Sequence, residues 1–593
     1  MGTTLSKLTG RDNYYFIILC AVFAKDFAYV IRRRSMPSRI AAPAGSNVLA
    51  YINYFLNNGG LIRTLLADAF GLIILWRILQ FSYQIHFFFM KLNFSQQKES
   101  IMQFFFDWIK NLPFVQSKLE KEREKLEMDV RKSVKHSDHV VEKIYVLPNE
   151  GRSTEDILQE MKTYINLEDK QWEEGYISGA VYHGEREHLK CQNEALAMYS
   201  LSNPLHPEIW PSLRKFEAEI ISMTASFLNG GDKNVCGAIT SGGTESIMMA
   251  VKTHREWGRK VKGITQPEMI IPATAHAAFD KAADCLCIKL IKLPVDQTTF
   301  VVDPKLVNEY VTNNTIMIVG SAPNYPQGTI DPIQQLSTIA IANNIGLHVD
   351  CCLGGFVLPF GKGYNNNEFQ IPEFDFSLKG VTSMSCDTHK YGYAAKGTSV
   401  VLYRDKKLRS HQYWCYSDWT GGIYATPTYA GSRAGGLIAA CWASMIRMGR
   451  VGYEKATYEI LKTRQYIQNR IDEEIEELFI LGDPKAMVVS WGSKKLNIYV
   501  LSDKMGKSGW SVNSLQRPAS AHLCVTYRQT LDGVKERFID DLKKCVKLVL
   551  EDDKGKNVVP EDGKAPIYGT IASLPPGPVN DLICTYMDVV LEV

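Results

Sequence analysis

The sequence predicts an α/β protein whose main domain is built on a mainly parallel sheet flanked by helices. Short, continuously apolar runs alternate with helical segments between residues 237 and 404. Strands that are apolar on both faces are typical of a sheet covered by helices on each side. After residue 436 the pattern changes to a long helical stretch and short strands, which predicts a smaller C-terminal α+β domain.

The main domain contains segments that we predict to be buried strands: Met269–Ala273, Thr315–Pro323, Ile345–Asp350, Ser383–Asp387 and Thr398–Tyr403. Ligands of such sheets bind beyond the carboxyl ends of the strands. The sequence places His276, Asp350 and Lys390 at or just after predicted strand ends. We therefore expect these three side chains to share one site.

The C-terminal part begins with a predicted helix over Trp442–Glu477. The elements predicted after it are strands near Leu478–Leu481, Met487–Ser490, Leu496–Leu501 and His522–Tyr527, and an amphipathic helix near Val534–Leu550. Residues 551–566 are rich in charge, glycine and proline, which indicates a flexible surface insertion.

The 593 residues exceed the size of one simple core. We predict a membrane-anchoring region at 1–92, a charged helical linker at 93–148, a large domain at 149–436 and a small domain at 437–593. Apolar runs at Tyr14–Val30 and Leu61–Met90 suggest membrane attachment, and the second is the better candidate for a spanning helix. The alternative is a pair of amphipathic helices on the protein's own surface. Residues 1–6 also fit a myristoylation pattern at Gly2.

Overall composition excludes several classes of function. The net charge of +3 gives no reason to expect nucleic-acid binding. The 13 cysteines are scattered without a metal-ligand spacing, which predicts reduced thiols and no metal site.

Three features together indicate a cofactor. Residues 240–246 (TSGGTES) precede a helical run, and glycines at a helix N-terminus can cradle a phosphate, although such a segment by itself is often an ordinary cap. The segment matches neither of the common ATP and NAD loops. A carboxylate at Asp350 and a strand-end amine at Lys390 complete the parts that pyridoxal phosphate requires: a phosphate cradle, a partner for the ring nitrogen and a Schiff-base lysine.

Longer motifs carry a family resemblance. They are SGAVYHG (178–184), NPLHPEIWPSLRKFEAE (203–219), TSGGTESI (240–247), TAHAAFDKAA (274–283), GSAPNYPQGTIDPI (320–333), LHVDCCLGGF (347–356), GVTSMSCDTHKYGYAAKGTSVVLYR (380–404) and TGGIYATPTYAGSRAG (420–435). From about residue 172 onward the chain resembles the fold-type I pyridoxal-phosphate enzymes of the group II decarboxylase branch. It is most similar to the sphingosine-1-phosphate lyases.

The resemblance implies roles for individual residues. Lys390 matches the Schiff-base lysine, Asp350 the partner of the ring nitrogen and His276 the histidine stacked on the ring. The remaining cofactor contacts that it implies are Gly243, Thr244, His389 and, from a neighbouring subunit, Ser432. The substrate contacts that it implies are Tyr182, His206 and Lys396, and Tyr182 and Lys396 together with Lys390 are the implied catalytic residues. Without the family, Tyr182 and His206 would be read as ordinary packed residues.

The activity implied is a retro-aldol cleavage of phosphorylated sphingoid bases to a long-chain aldehyde and phosphoethanolamine. The family further implies a homodimer with active sites at the subunit interface, anchored by its N-terminus in the endoplasmic reticulum membrane with the catalytic domain facing the cytosol. The alternatives are an amino-acid decarboxylase with the same cofactor and an inactive membrane scaffold. This chain has Ala395 and Ala434 where the family commonly has proline, and the first of these changes puts the rigidity of the loop carrying Lys396 in doubt.

Overall fold

The computed structural model describes residues 143–166, 171–231, 234–552 and 576–592, together with scattered positions between 116 and 131. All of them belong to the unit Ile109–Val593, one of two compact units of the chain. The predicted membrane-anchoring region, Gly2 and residues 553–566 of the predicted insertion lie outside the described residues. Within the described part of the chain, no helix has both the length and the apolar character needed to cross a bilayer.

A seven-stranded sheet forms the centre of the main domain, which confirms the predicted mostly parallel sheet flanked by helices. Its strands are β1 (Cys236–Thr240), β2 (Glu268–Pro272), β3 (Lys289–Leu293), β4 (Thr315–Ser321), β5 (Gly346–Asp350), β6 (Ser383–Cys386) and β7 (Ser399–Tyr403). The strand order is β1-β7-β6-β5-β4-β2-β3. Only β7 runs antiparallel to its neighbours within this sheet.

Most helices of the main domain bury apolar side chains, either against this sheet or against other helices. They are α1 (Thr154–Ile165), α2 (Arg186–Met198), α3 (Pro211–Phe227), α4 (Gly243–Lys262), α5 (Ala278–Cys285), α6 (Pro304–Tyr310), α7 (Ile333–Ala342), α8 (Leu358–Lys362) and α9 (Lys406–Arg409). The exceptions are α1 and α9, which have no buried residue. Every residue of β4 and β5 is buried, as expected for strands covered on both faces.

A long helix, α10 (Gly435–Glu474), connects the main sheet to the C-terminal part. It breaks at Gly449, whose φ of 55° lies in the left-handed region that glycine adopts readily. An exposed hairpin of β8 (Trp414–Trp419) and β9 (Gly422–Thr426) precedes it. The sequence predicted that this helix begins at Trp442, about two turns after its observed start at Gly435. The small residues of GGLIAAC gave only a weak helical pattern.

The C-terminal part is built on a four-stranded antiparallel sheet of order β10-β11-β13-β12. Its elements are β10 (Leu478–Ile480), β11 (Val488–Ser493), α11 (Ile498–Lys507), β12 (Asn513–Leu515), β13 (Ser520–Cys524), α12 (Val534–Asp552) and α13 (Pro576–Leu591). The predicted strand at Leu496–Leu501 was wrong. Asn497 caps a helix there by accepting hydrogen bonds from the main-chain nitrogens of Tyr499 and Val500.

Candidate active site

The site lies at the carboxyl edge of the main sheet, where β5 and β6 run side by side. Asp350, the last residue of β5, is in register with Ser385 of β6. Its Oδ1 accepts hydrogen bonds from Ser385 Oγ at 3.1 Å and from the main-chain nitrogen of Cys352 at 3.0 Å. Burial raises the pKa of Asp350, but the field of His276 and the bond from Cys352 outweigh it, so that the net shift is downward. Asp350 is thus a buried carboxylate anion at the strand end, as predicted.

Lys390 follows β6 and meets a second carboxylate. Its Nζ lies 2.9 Å from Asp387 Oδ2, and both side chains are largely buried. Burial is the largest single effect on Lys390 and lowers its pKa. The charge of Asp387, the hydrogen bond to it and the effects of Cys352 and Tyr182 together outweigh burial, so that the net shift is upward. His389 points to the same carboxylate, with Nε2 3.7 Å from Oδ2. The sequence contained Asp387 within the motif, but it gave no role to this residue.

The N-terminus of α4 approaches this cluster closely. A Cβ at Gly243 would lie 2.7 Å from Asp387 Oδ2 and 2.9 Å from Cys352 Sγ, so only glycine fits without a shift. A Cβ at Gly242 would lie 3.3 Å from Cε1 of His389. The neighbouring Thr244 is exposed. Main-chain N–H groups at a helix start bind phosphate well. The start of α4 therefore remains the candidate cradle, and it packs against Asp387, which contacts Lys390.

Tyr182 and Lys396 meet on one side of the site. The Nζ atom of Lys396 lies 4.5 Å from the centre of the Tyr182 ring. Burial is the largest effect on Tyr182 and raises the pKa of its phenol, and the smaller field of Lys390 lowers it. Burial lowers the pKa of Lys396, as does the charge of Lys390. The charge of Lys390 thus acts on both Tyr182 and Lys396.

The C-terminal part of the chain holds the segment that carries Tyr182, which the sequence did not reveal. The main-chain nitrogen of Tyr527 donates to the carbonyl oxygen of Tyr182 at 3.1 Å. The hydroxyl of Tyr391 donates to the carbonyl oxygen of Val525 at 2.6 Å and lies 3.2 Å from Cys524 Sγ. No local pattern could have found these contacts, since the partners of Tyr391 are more than 130 residues away.

Two predicted residues lie in a separate cluster. Asn203 Nδ2 donates to Ser432 Oγ at 3.0 Å, and the main-chain nitrogen of Arg433 donates to Asn203 Oδ1 at 3.3 Å. His206, on the same segment as Asn203, is half exposed and lies 3.5 Å from Glu208. The hydrogen bonds and ion pairs of the described residues do not connect His206 or Ser432 with Lys390.

The residues at the sheet edge fit pyridoxal phosphate. They provide an amine at Lys390, a buried anion at Asp350 and a glycine cradle at Gly243. His276 is exposed, it accepts a hydrogen bond through Nδ1 from the main-chain nitrogen of Ala278 at 3.1 Å, and its charge acts on Asp350. Among the described residues, no group of three or more His, Cys, Asp or Glu side chains is arranged to bind a metal ion.

Comparison with known proteins gives the same class. Residues 140–494 match the family model of the pyridoxal-dependent decarboxylase conserved domain. The fold is shared with the solved glutamate decarboxylase of Lactobacillus brevis, at a TM-score of 0.61 and 20% identity over 71% of this chain and 98% of that one. The chain is therefore a pyridoxal-phosphate enzyme of the decarboxylase-like fold.

Nearer relatives narrow this class. The sphingosine-1-phosphate lyase of Dictyostelium discoideum is 46% identical over 81% of this chain and 88% of its own, and that of Saccharomyces cerevisiae is 40% identical over 82% and 81%. The solved sphingosine-1-phosphate lyase of Burkholderia pseudomallei has a TM-score of 0.68 and 41% identity over 74% of this chain and 98% of its own. The chain belongs to the sphingosine-1-phosphate lyase family.

Proposed function

We propose that this protein cleaves phosphorylated sphingoid bases by a retro-aldol reaction that releases a long-chain aldehyde and phosphoethanolamine. The observation that carries the proposal is the contact of Lys396 with Tyr182 in the field of Lys390. A cation beside the reactive lysine suits a phosphate group, which binds charged donors strongly.

Each residue at the sheet edge has a defined task in this reaction. Pyridoxal phosphate, when bound, supplies the electron sink for the bond between C2 and C3 of the substrate. Lys390 holds the cofactor, and Asp350 supplies the anion that keeps its ring nitrogen protonated. The N-terminus of α4 at Gly243 and Thr244, with His389 beside it, binds the cofactor's phosphate, and His276 covers the ring.

Proton transfer involves two side chains of the site and the substrate itself. The Tyr182 phenol stays protonated at neutral pH because burial raises its pKa, so that it can donate a proton. Lys390, once released from the cofactor, carries the second exchangeable proton near the reacting carbon. An oxygen of the substrate's phosphate is the remaining candidate for the base that accepts the proton of the C3 hydroxyl.

The active protein is a homodimer in this proposal, with sites completed across the interface. The family resemblance implies that Ser432 reaches a neighbouring subunit. Ser432 accepts a hydrogen bond from Asn203, which lies on the same segment as His206. If Ser432 acts in the partner's site, His206 therefore belongs to that site as well. An exposed apolar surface on the β8–β9 hairpin lies close in sequence to Ser432, with Trp414, Trp419 and Ile423 between 52% and 86% exposed. Burying these side chains in a dimer would be favourable.

The N-terminal region binds membrane lipid in this proposal, at the endoplasmic reticulum and with the catalytic domain in the cytosol. Its support is the pair of apolar runs at Tyr14–Val30 and Leu61–Met90. A sphingoid chain partitions into lipid, so attachment would bring the enzyme to its substrate. Expression of the full chain and of residues 93–593 as fluorescent fusions tests this. Loss of membrane fractionation in the shorter chain is expected, and equal fractionation would contradict it.

Product analysis separates the proposed activity from the alternatives. The purified holoenzyme is incubated with a phosphorylated sphingoid base in one reaction and with single amino acids in others. Equimolar aldehyde and phosphoethanolamine are expected from the first and no carbon dioxide from the second. Carbon dioxide without aldehyde would favour a decarboxylase, and no product of either kind would favour an inactive scaffold.

Mixed dimers test the composite site. Lys390→Ala and His206→Ala subunits are each inactive or nearly so in this proposal. Co-expressed with two different affinity tags, they form a heterodimer in which one of the two sites keeps both residues. Recovery of roughly half the wild-type activity per dimer is expected. Failure of the heterodimer to regain activity would place His206 in the site of its own subunit.

A further inference from the structure

Asp387 is a buried carboxylate that the proposed reaction does not use. It stands three residues before Lys390, and its Oδ2 is 2.9 Å from the lysine amine. Its other oxygen, Oδ1, is buried and meets no hydrogen-bond partner among the described residues. Asp387 is distinct from Asp350, which ends β5 and bonds to Ser385 and Cys352. The site thus contains two carboxylates, and only one of them is needed for the ring nitrogen.

The surroundings of Asp387 attract a negative charge. The first residue of α4, Gly243, packs against both carboxylate oxygens, since a Cβ built there would lie 2.7 and 2.9 Å from them. The N-terminus of a helix carries partial positive charge, which stabilises an anion. Lys390 supplies a full positive charge on the same side. The helix N-terminus and the ammonium form of Lys390 therefore both attract the carboxylate of Asp387.

Other titratable groups face this pair from several elements. The titratable groups close enough to interact electrostatically with Lys390 or Asp387 are Cys352 after β5, Cys386 of β6, His389, Lys396, Tyr182 and Cys524 of β13. Burial raises the pKa of the three thiols and of the phenol, so these groups are neutral near pH 7. Burial lowers the pKa of His389, which leaves it largely neutral as well. Asp387 is therefore the anion that holds the charge on Lys390.

We propose that Asp387 is a positioning residue that keeps Lys390 as an ammonium ion until the cofactor arrives, so that loss of this proton controls covalent attachment of the cofactor. Attachment joins the lysine nitrogen to the aldehyde carbon of pyridoxal phosphate. The ammonium first releases one proton to solvent, its lone pair then attacks the carbon, and the two remaining N–H hydrogens leave with the aldehyde oxygen as water. The carboxylate thus aims the amine at the cradle while it slows attachment at neutral pH.

The test measures attachment and needs no sphingoid substrate, so its outcome is independent of the proposed activity. Full-length protein stripped of cofactor is mixed with saturating pyridoxal phosphate at a series of pH values, and the absorbance of the attached cofactor is followed with time. Asp387→Asn is expected to move the midpoint of the rate–pH profile down by about one pH unit or more, which corresponds to attachment about tenfold faster at pH 7. Asp387→Glu, which keeps the charge, is expected to stay near the wild-type midpoint.

Asp303→Asn is the matched control, because Asp303 caps α6 through its side chain and asparagine can do the same. An unchanged midpoint in Asp387→Asn, or slower attachment at every pH, would overturn the proposal. If Asp387→Asn does not fold, the pKa of Lys390 can be measured in cofactor-free wild-type protein. The rate of Lys390 acetylation is then determined by mass spectrometry at a series of pH values. A midpoint above the ordinary lysine value of about 10.4 is expected, and one at or below it would be contradictory.

Discussion

The ammonium of Lys396 lies 4.5 Å from the centre of the Tyr182 ring. Lys396 also donates a hydrogen bond to the carbonyl oxygen of His389 at 3.4 Å, so its position is tied to the loop that carries Lys390. Tyr182 belongs to a segment held by the C-terminal part of the chain. One contact therefore joins two distant segments beside the reactive lysine. Because the phenol and the ammonium have different tasks, separate substitutions can distinguish them.

Removing the phenol oxygen of Tyr182 tests its role in proton transfer. Tyr182→Phe keeps the ring under Lys396 and loses the hydroxyl, so kcat is expected to fall by about 10²–10⁴-fold. KM is expected to change little, since the phosphate-binding cation remains. Steady-state kinetics of aldehyde release provide the measurement, and Tyr145→Phe, at a largely exposed tyrosine, is the control. Wild-type kcat in Tyr182→Phe would exclude the phenol as a proton donor.

Removing the charge of Lys396 tests substrate recognition. Lys396→Met keeps much of the side chain's length and apolar stem, and KM for a phosphorylated sphingoid base is expected to rise by roughly 10- to 100-fold. Lys396→Arg should restore part of the affinity. The exposed Lys379→Met serves as a control for loss of one positive charge. Equal KM values for Lys396→Met and wild type would show that another group binds the phosphate.

Steric contacts explain why glycine occupies position 243 at the start of α4. In Gly243→Ala the added methyl group would meet Asp387 Oδ2 at 2.7 Å and Cys352 Sγ at 2.9 Å, and neither is the end of a long flexible side chain. The cradle must then shift, so the dissociation constant of pyridoxal phosphate is expected to rise about tenfold or more. Fluorescence titration of cofactor-free protein measures it. Gly151→Ala, where nothing lies within 4 Å, should leave cofactor binding unchanged.

A buried histidine of α4 makes stability depend on pH. Burial lowers the pKa of His254 to about 4, while its ring bonds to the carbonyl oxygen of Ala250 at 2.8 Å and to Thr382 Oγ1 at 3.0 Å. In the unfolded chain the pKa is about 6.5, so between these values the unfolded state binds a proton that the folded state does not. The free energy of unfolding contributed by this residue therefore falls as pH decreases from about 6.5 to 4, by roughly 3 kcal/mol in total.

His254→Gln should make that pH dependence shallower by one proton, even if the variant is less stable at pH 7. Denaturant unfolding of wild type and variant at pH 7 and pH 5 provides the comparison. An identical loss of stability in both proteins would mean that His254 does not carry the effect.

Local sequence patterns predicted five strands of the main sheet, β2, β4, β5, β6 and β7, because apolar residues predominate in these strands. They missed β3, where Lys289 and Lys292 interrupt the apolar residues of an edge strand, and β1, whose small residues CGAIT give little signal. They assigned Leu496–Leu501 to a strand because the capping by Asn497 was not weighed against the apolar run. The order of the strands could not be predicted, since it depends on contacts between distant segments.

The candidate site was predictable where one motif contained it. Lys390, His389 and Lys396 lie within a short segment, and Asp350 ends a recognisable strand. The contacts of Tyr182 with Tyr527 and of Tyr391 with Val525 were not predictable, because they depend on how the C-terminal sheet packs. The predicted domain boundaries and the assignment of His206 to the substrate's phosphate remain predictions.

Release of aldehyde from a phosphorylated sphingoid base, compared between the wild-type holoenzyme and Lys390→Ala, tests the central claim most directly. The wild-type protein is expected to release aldehyde and phosphoethanolamine in equal amounts. The Lys390→Ala variant is expected to lose both the activity and the covalently bound cofactor. Thermal unfolding of both proteins in the absence of cofactor checks that the variant is folded, although the loss of the ion pair with Asp387 is expected to lower its midpoint. Aldehyde release by Lys390→Ala at the wild-type rate, or its absence from the cofactor-loaded wild type, would contradict the account.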